Sequence, residues 1–233
     1  MDYKNLVILG TSHIAKQSLK EVRESIKKEK PSIIALELDK SRMHALMSNA
    51  PKKVQWRNIR SIGLKAFIFS LIGAWAEKKL GKLVGVAPGS EMKLAIKLAK
   101  KEKIEIAMID QDIAITLKRL SESITWREKW NFFADIAKAL FRRKAEIEFD
   151  LSTVPDKEII DKMVGKVRER YPSIYNVLIK ERNTFIANNL RNLMLSRPDK
   201  KILAIVGAGH VDEVTANLKA NDESEISYRF SIG

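Results

Sequence analysis

Four short apolar runs punctuate the chain, at residues 6–9, 33–38, 104–109 and 202–206, each bounded by polar residues or Gly and rich in aliphatics. Continuous runs of this length fit strands covered on both faces, as in a parallel sheet. Between the first two, Ile14, Leu19, Val22 and Ile26 share one helical stripe, so the opening reads as a strand–helix–strand unit. A helix is predicted from about Ser41, and another over 90–101, with Ser90 as N-cap and Glu91 as a favourable first-turn acid. Residues 112–197 read as helical throughout: Trp126, Trp130, Phe133, Ala137 and Leu140 stand at helical spacing, and Ile174, Leu178, Phe185 and Leu193 form a later stripe. Pro155 and Pro172 stand near helix starts, where a missing N–H costs little. A helix over 211–219 follows the fourth run, and 226–232 predicts a final edge strand. The expected fold is α/β. A mostly parallel sheet of four to five strands is formed by both ends of the chain, with a helical insertion over 112–200 inside a single domain spanning 1–233.

The polar residues that follow the apolar runs carry the candidate chemistry. The first run ends in Gly10-Thr11-Ser12-His13, the second in Glu37-Leu38-Asp39, the third in Asp110-Gln111-Asp112 and the fourth in Gly207-Ala208-Gly209-His210. In a parallel sheet these carboxyl ends share one edge, the usual ligand position of open α/β folds. Two of the three histidines and several carboxylates then converge there, and the first and last runs share a G-x-x-H pattern. Two His and one carboxylate suffice to hold a divalent transition metal with an open position, which makes His13, Glu37 and His210 the natural trio. His44, on the following helix, reads as solvated or capping. Arg182 and Asn189 fall on the core-facing stripe of the later helix, and a buried guanidinium there requires a carboxylate or an anionic intermediate unless its end reaches solvent. Arg42 and Arg119 are placed to line the same edge.

Composition narrows the reading. The 233 residues carry 43 Lys+Arg against 29 Asp+Glu, a formal charge of +14, and 45% are apolar, which excludes a disordered basic tail. The complete absence of Cys excludes disulfides, thiolate metal sites and Cys nucleophiles, so any metal depends on His and carboxylates. The most hydrophobic stretch, 62–76, contains Lys65 and falls short of the roughly 20 apolar residues of a membrane span. With no signal-peptide pattern at the start, a soluble cytoplasmic protein is expected. The basic apolar segment 57–83 fits an interfacial helix on an anionic membrane or, preferably, a homodimer interface. The last 32 residues hold two basic and five acidic residues, so the positive excess belongs to the preceding helices. Nucleic acid ranks last as a partner, because no recognition motif or aromatic-interleaved basic stripe is present.

Taken together, GTSH at 10–13, ELDKSR at 37–42, GSE at 89–91, DQDI at 110–113, TLKR at 116–119, ERN at 181–183 and VGAGH at 206–210 resemble the TraB family. That family includes the pheromone-shutdown proteins called PrgY and the Tiki proteases, and the resemblance covers nearly the whole chain. It implies a fold related to the erythromycin-esterase and ChaN group and a metal-dependent hydrolase, most often a peptidase. It makes His13 and His210 metal-site residues and Glu37 and Glu91 the acids, one a ligand and the other a general base or second ligand. Arg42 and Arg182 become candidates for contacting the substrate or an oxyanion. The implied cofactor is a divalent transition metal such as zinc, manganese or cobalt, and the substrate a peptide or small ester. A ligand-binding role without turnover, for haem or peptide, or a membrane-associated regulatory role, is the alternative. Many microbial relatives carry a membrane-spanning segment after the shared domain, so two expectations stand: a naturally soluble member, or the soluble domain of a membrane-anchored protein.

Overall fold

The computed structural model describes residues 2–11, 16–48, 89–141 and 157–230. A five-stranded sheet in the order β1-β2-β5-β3-β4 forms its centre: β1 (Asp2–Tyr3), β2 (Leu6–Thr11), β3 (Ile33–Leu36), β4 (Glu105–Met108) and β5 (Ile202–Gly207). All neighbours run parallel except the short β1, which turns back on β2. The four apolar runs are therefore the four parallel strands, and the first and last of them lie side by side. β4, at the edge, is only half-buried, since among the described residues no further strand covers its outer side.

Helices cover both faces. Alternate residues of β5 divide the core: Ile202, Ala204 and Val206 pack with Ile186, Ala187 and Leu190 of α8 (Arg182–Ser196) and with Val214 and Leu218 of α9 (Val211–Phe230). Leu203 and Ile205 face the other way, onto Val22 and Ile26 of α1 (Lys16–Glu29) and Met92, Ala95, Ile96 and Ala99 of α3 (Ser90–Glu102). Each fully buried Val, Leu, Ile or Met side chain among them contributes about 1.5–3 kcal/mol of hydrophobic free energy, so this three-layer sandwich is what holds the sheet edge in place. Glu37 follows β3, and α2 (Lys40–Met47) begins three residues later with Asp39 as its N-cap.

Between β4 and β5 every described element is helical: α4 (Ile113–Ser123), α5 (Trp126–Phe141), α6 (Lys157–Arg170), α7 (Pro172–Tyr175), a π-helical turn (Asn176–Glu181) and α8. Pro172 stands at the start of α7, as its missing N–H predicts. Thr125 and Glu128 form a reciprocal capping box that starts α5. Trp126, Trp130 and Phe133 do keep helical spacing, but they point outward and are 76%, 71% and 63% exposed.

Three expectations are corrected. Residues 226–230 continue α9 instead of forming an edge strand; no Gly or Pro interrupts the segment after Val211, so nothing ends the helix early. The N-cap of α3 is Gly89, not Ser90: its φ of 77° is left-handed, and a Cβ there would lie 3.1 Å from Leu46 Cδ1. Phe185 is 39% exposed while Ile186 and Leu190 are fully buried, because the π-turn takes up one extra residue and shifts the inward stripe by one position. Among the described residues no helix is long and apolar enough to cross a membrane. The segment 57–83, with its dimer and membrane readings, lies outside the described residues, as do Pro155 and the last three positions.

Candidate active site

The two G-x-x-H motifs begin on paired strands. Gly10 is in register with Val206 and Thr11 with Gly207, so both motifs leave the sheet from adjacent positions. Gly10 is required by packing: a Cβ on it would meet Val211 Cγ2 at 2.7 Å and the Ala208 Cα at 3.3 Å, directly beneath the short 3₁₀ turn Ala208–His210. His13 lies two residues past Thr11, outside the described residues.

Glu37 enters from the other side of β5. The backbone after β3 stays tied to both neighbours, with Glu37 N donating to the Ile205 carbonyl at 3.1 Å and Ile109 N to that of Leu36 at 3.0 Å. The Glu37 side chain is thereby aimed at the second motif, where its Oε2 accepts the Gly207 N–H at 2.5 Å. Its Oε1 accepts from Arg182 Nη2 at 2.5 Å and faces His210 Nε2 at 3.5 Å.

A second carboxylate completes a buried ionic cluster. Asp110 receives a fork from Arg182, Nε to Oδ1 at 3.1 Å and Nη2 to Oδ2 at 2.7 Å, and a bond from Arg42 Nη1 to Oδ2 at 2.6 Å. Two guanidiniums thus face two carboxylates, and the charge of this quartet cancels. Asp110 and Glu37 side chains are 1% and 2% exposed, so each charge depends on its partners and not on water. Burial alone pulls the Arg182 guanidinium toward losing its proton, but the Asp110 hydrogen bond and the charges of Glu37 and Asp110 outweigh it and raise its pKa above the ordinary value. The remaining terminal nitrogen, Nη1, donates to the Leu178 carbonyl at 3.2 Å across the π-turn.

One residue later, Asn183 is fully buried and points to the histidine of the same second motif. Its Oδ1 lies 2.5 Å from His210 Nδ1 and its Nδ2 donates to Glu213 Oε2 at 2.6 Å. The Tyr175 hydroxyl donates a short bond to Glu213 Oε1. That bond, followed by burial, pushes the phenol of Tyr175 above its ordinary range.

A profile of the TraB/PrgY/gumN family matches residues 2–226. The chain belongs to that family. An uncharacterized protein of Methanocaldococcus jannaschii is 38% identical over 218 residues, covering 92% of this chain and 53% of its own length. TraB domain-containing proteins of Mus musculus and Homo sapiens are each 21% identical, over 240 and 241 residues respectively, with 93% of this chain and 63% of theirs covered. The chain therefore spans between about half and two thirds of the length of these relatives.

The remaining TraB-like motifs are distributed as follows. Glu91 is buried in the first turn of α3, which runs back toward β4 and so begins at the carboxyl side of the sheet. Arg42, in α2, reaches Asp110 with a side chain still 33% exposed. Arg119, in α4, forks onto Glu181 at 2.6 and 2.7 Å, one residue before Arg182, and that bond holds the Glu181 carboxyl below its usual range. Asn189 ties α8 to the Ile109 carbonyl at 3.0 Å, and His44 is exposed on α2. Asp39 caps α2 through Oδ1, while its Oδ2 is buried with no hydrogen-bond partner. Among the described residues no group of three or more His, Asp and Glu gathers as a metal cluster, and the third member of the predicted trio, His13, is not among them.

Sequence reasoning gave no role to Tyr175 or Glu213. Glu213 reads in sequence as a dipole-favoured acid in the first turn of α9, and only the chain's path brings it to Asn183.

Proposed function

We propose that this domain is a metal-dependent hydrolase of peptide or small ester bonds, with His13, Glu37 and His210 as the metal-holding residues. One observation carries the reading: His210 Nε2 and Glu37 Oε1 stand 3.5 Å apart, each oriented by a further residue on its other atom. Two donors at 2.0–2.2 Å from one tetrahedral ion stand about 3.4 Å apart, so this pair is spaced as shared ligands would be. A histidine whose other nitrogen is held by an amide oxygen has the outer support that metal-binding imidazoles need. The donor chemistry, imidazole with carboxylate and no thiolate, suits zinc, manganese or cobalt.

A bound ion of this kind supplies a Lewis acid. The protein's own residues supply the rest. Arg182 and the Gly207 N–H fix the Glu37 carboxylate, and Asn183 fixes His210. Glu91, buried at the start of α3, is the candidate to move a proton. Arg42, the more exposed of the two guanidiniums, is the candidate to meet a substrate oxygen, whereas Arg182 has Nε, Nη1 and Nη2 all engaged with protein acceptors.

Chelator-stripped protein titrated calorimetrically with zinc, manganese and cobalt is expected to bind at least one of them, with binding lost in His13→Ala and His210→Ala. Wild-type protein that takes up none of the three, or variants that bind as wild type does, would remove the proposal. Hydrolysis of a peptide and ester panel by the loaded protein then identifies the substrate class.

A further inference from the structure

A neutral histidine carries its hydrogen on one nitrogen only, and that choice decides whether Nε2 of His210 turns a lone pair or a hydrogen toward Glu37. Residues outside the paired motifs determine the choice. Glu213 is a carboxylate and can only accept, so the Asn183 atom 2.6 Å from its Oε2 must be the amide nitrogen. The Asn183 oxygen is then the atom turned to His210 Nδ1 at 2.5 Å, and an amide oxygen can only accept. Nδ1 therefore bears the hydrogen. The Tyr175 hydroxyl holds the other oxygen of Glu213 and completes the chain.

The backbone is arranged for this. Tyr175 and Asn183 are eight positions apart, about 80° around a regular α-helix at 3.6 residues per turn. The π-turn Asn176–Glu181 between them accommodates roughly one extra residue and so removes about 100° of rotation, which brings the two side chains to within about 20° of each other, on the face that meets α9. The same turn leaves Arg182 directed at Glu37 and Asp110.

We propose that Tyr175, Glu213 and Asn183 form a positioning relay that holds His210 in its Nδ1–H form and aims Nε2 at Glu37. The use of that Nε2 atom as a metal ligand rests on the hydrolase reading above; the relay does not. None of the three is a catalytic residue. Glu213 also borders a cavity of about 390 Å³ that Arg168 and Lys180 line, so water can replace a missing Tyr175 hydroxyl more readily than it can replace the Glu213 carboxylate.

The test is the ¹⁵N spectrum of the imidazoles in metal-free protein at about pH 8.5, above the ordinary histidine range. With three histidines, His210→Gln assigns the resonance. Wild type is expected to show Nδ1 protonated and Nε2 unprotonated. Asn183→Ala and Glu213→Ala are expected to lose this state and shift toward the Nε2–H form that an unconstrained histidine favours. Glu213→Gln is expected to restore it, because its amide oxygen still accepts from Asn183 and its amide nitrogen can turn to Tyr175. Tyr175→Phe is expected to shift it least. Wild type in the Nε2–H form overturns the relay without reference to any variant, and so does an unchanged tautomer in folded Asn183→Ala and Glu213→Ala. Metal titration of the same samples separates the two ideas: the expected tautomers with no metal uptake leave the relay standing and remove the hydrolase.

Discussion

Two arginines in this protein make the same bond in different surroundings. Arg182 forks onto Asp110 at 3.1 and 2.7 Å, and Arg170 forks onto Asp135 at 2.5 and 2.5 Å. Judged by distance alone, the second pair is the tighter. Yet Asp135 and Arg170 side chains are 37% and 43% exposed, whereas Asp110 is 1% and Arg182 15%. In water a broken ion pair is replaced by hydration, so the exposed fork contributes little. At the sheet edge no such replacement is at hand, and losing one partner strands a charge in a poorly solvated place. The comparison teaches that burial, and not bond length, separates an ion pair that organises a site from one that decorates a helix.

Removing Asp110 should have the largest effect. Asp110→Ala leaves Arg182 and Arg42 without their shared carboxylate and is expected to cost about 3–5 kcal/mol in denaturant unfolding, as for other broken buried pairs. A loss no larger than that of an exposed pair would erase the distinction drawn above.

Glu128 tests an intermediate case, a buried carboxylate whose hydrogen-bond partners are neutral. Burial raises its pKa, but hydrogen bonds from Thr125 and from the Ser173 N–H outweigh that and hold it below the ordinary carboxylate range. Because its folded value lies below its unfolded one, its contribution is complete at neutral pH and is lost as pH falls through the folded value. Glu128→Gln is expected to cost about 1 kcal/mol at neutral pH, the usual worth of a helix cap, and to flatten the acid limb of a stability–pH curve. A variant curve parallel to wild type in acid would show that Glu128 is not the titrating group. Smallest of all, Asp135→Ala should leave the thermal midpoint unresolved from wild type despite the short distances of its fork, and a clear drop would mean that exposure is a poor guide here.

Much of the fold was legible in sequence because strand signals are local. The four apolar runs predict the four parallel strands, the stripe of Leu19, Val22 and Ile26 predicts α1, and the helix expected over 90–101 is α3. The errors are equally physical. The shifted stripe around Phe185 comes from a π-turn, a change of winding that no 3.6-residue periodicity contains. The expected strand at 226–230 is helix, since no breaker before it stops α9. At the candidate site, Glu37, Arg182 and His210 were identifiable from their motifs. Their wiring was not: Asp110 joins both Arg42 and Arg182 across separations of 68 and 72 residues, and Glu213 reaches Asn183 across 30.

Sequence alone determined which residue types end each strand, and therefore that two G-x-x-H motifs and a glutamate would begin at one edge of a parallel sheet. It also excluded thiol and disulfide chemistry by containing no Cys. Tertiary structure decided what those residues face. The insertion of β5 between β2 and β3 places Gly207 beside Glu37, and the π-turn before Arg182 sends that arginine to one carboxylate pair and Asn183 to His210. Strand and helix signals depend on near neighbours along the chain, whereas the partner of a buried charge depends on which distant segment is packed against it.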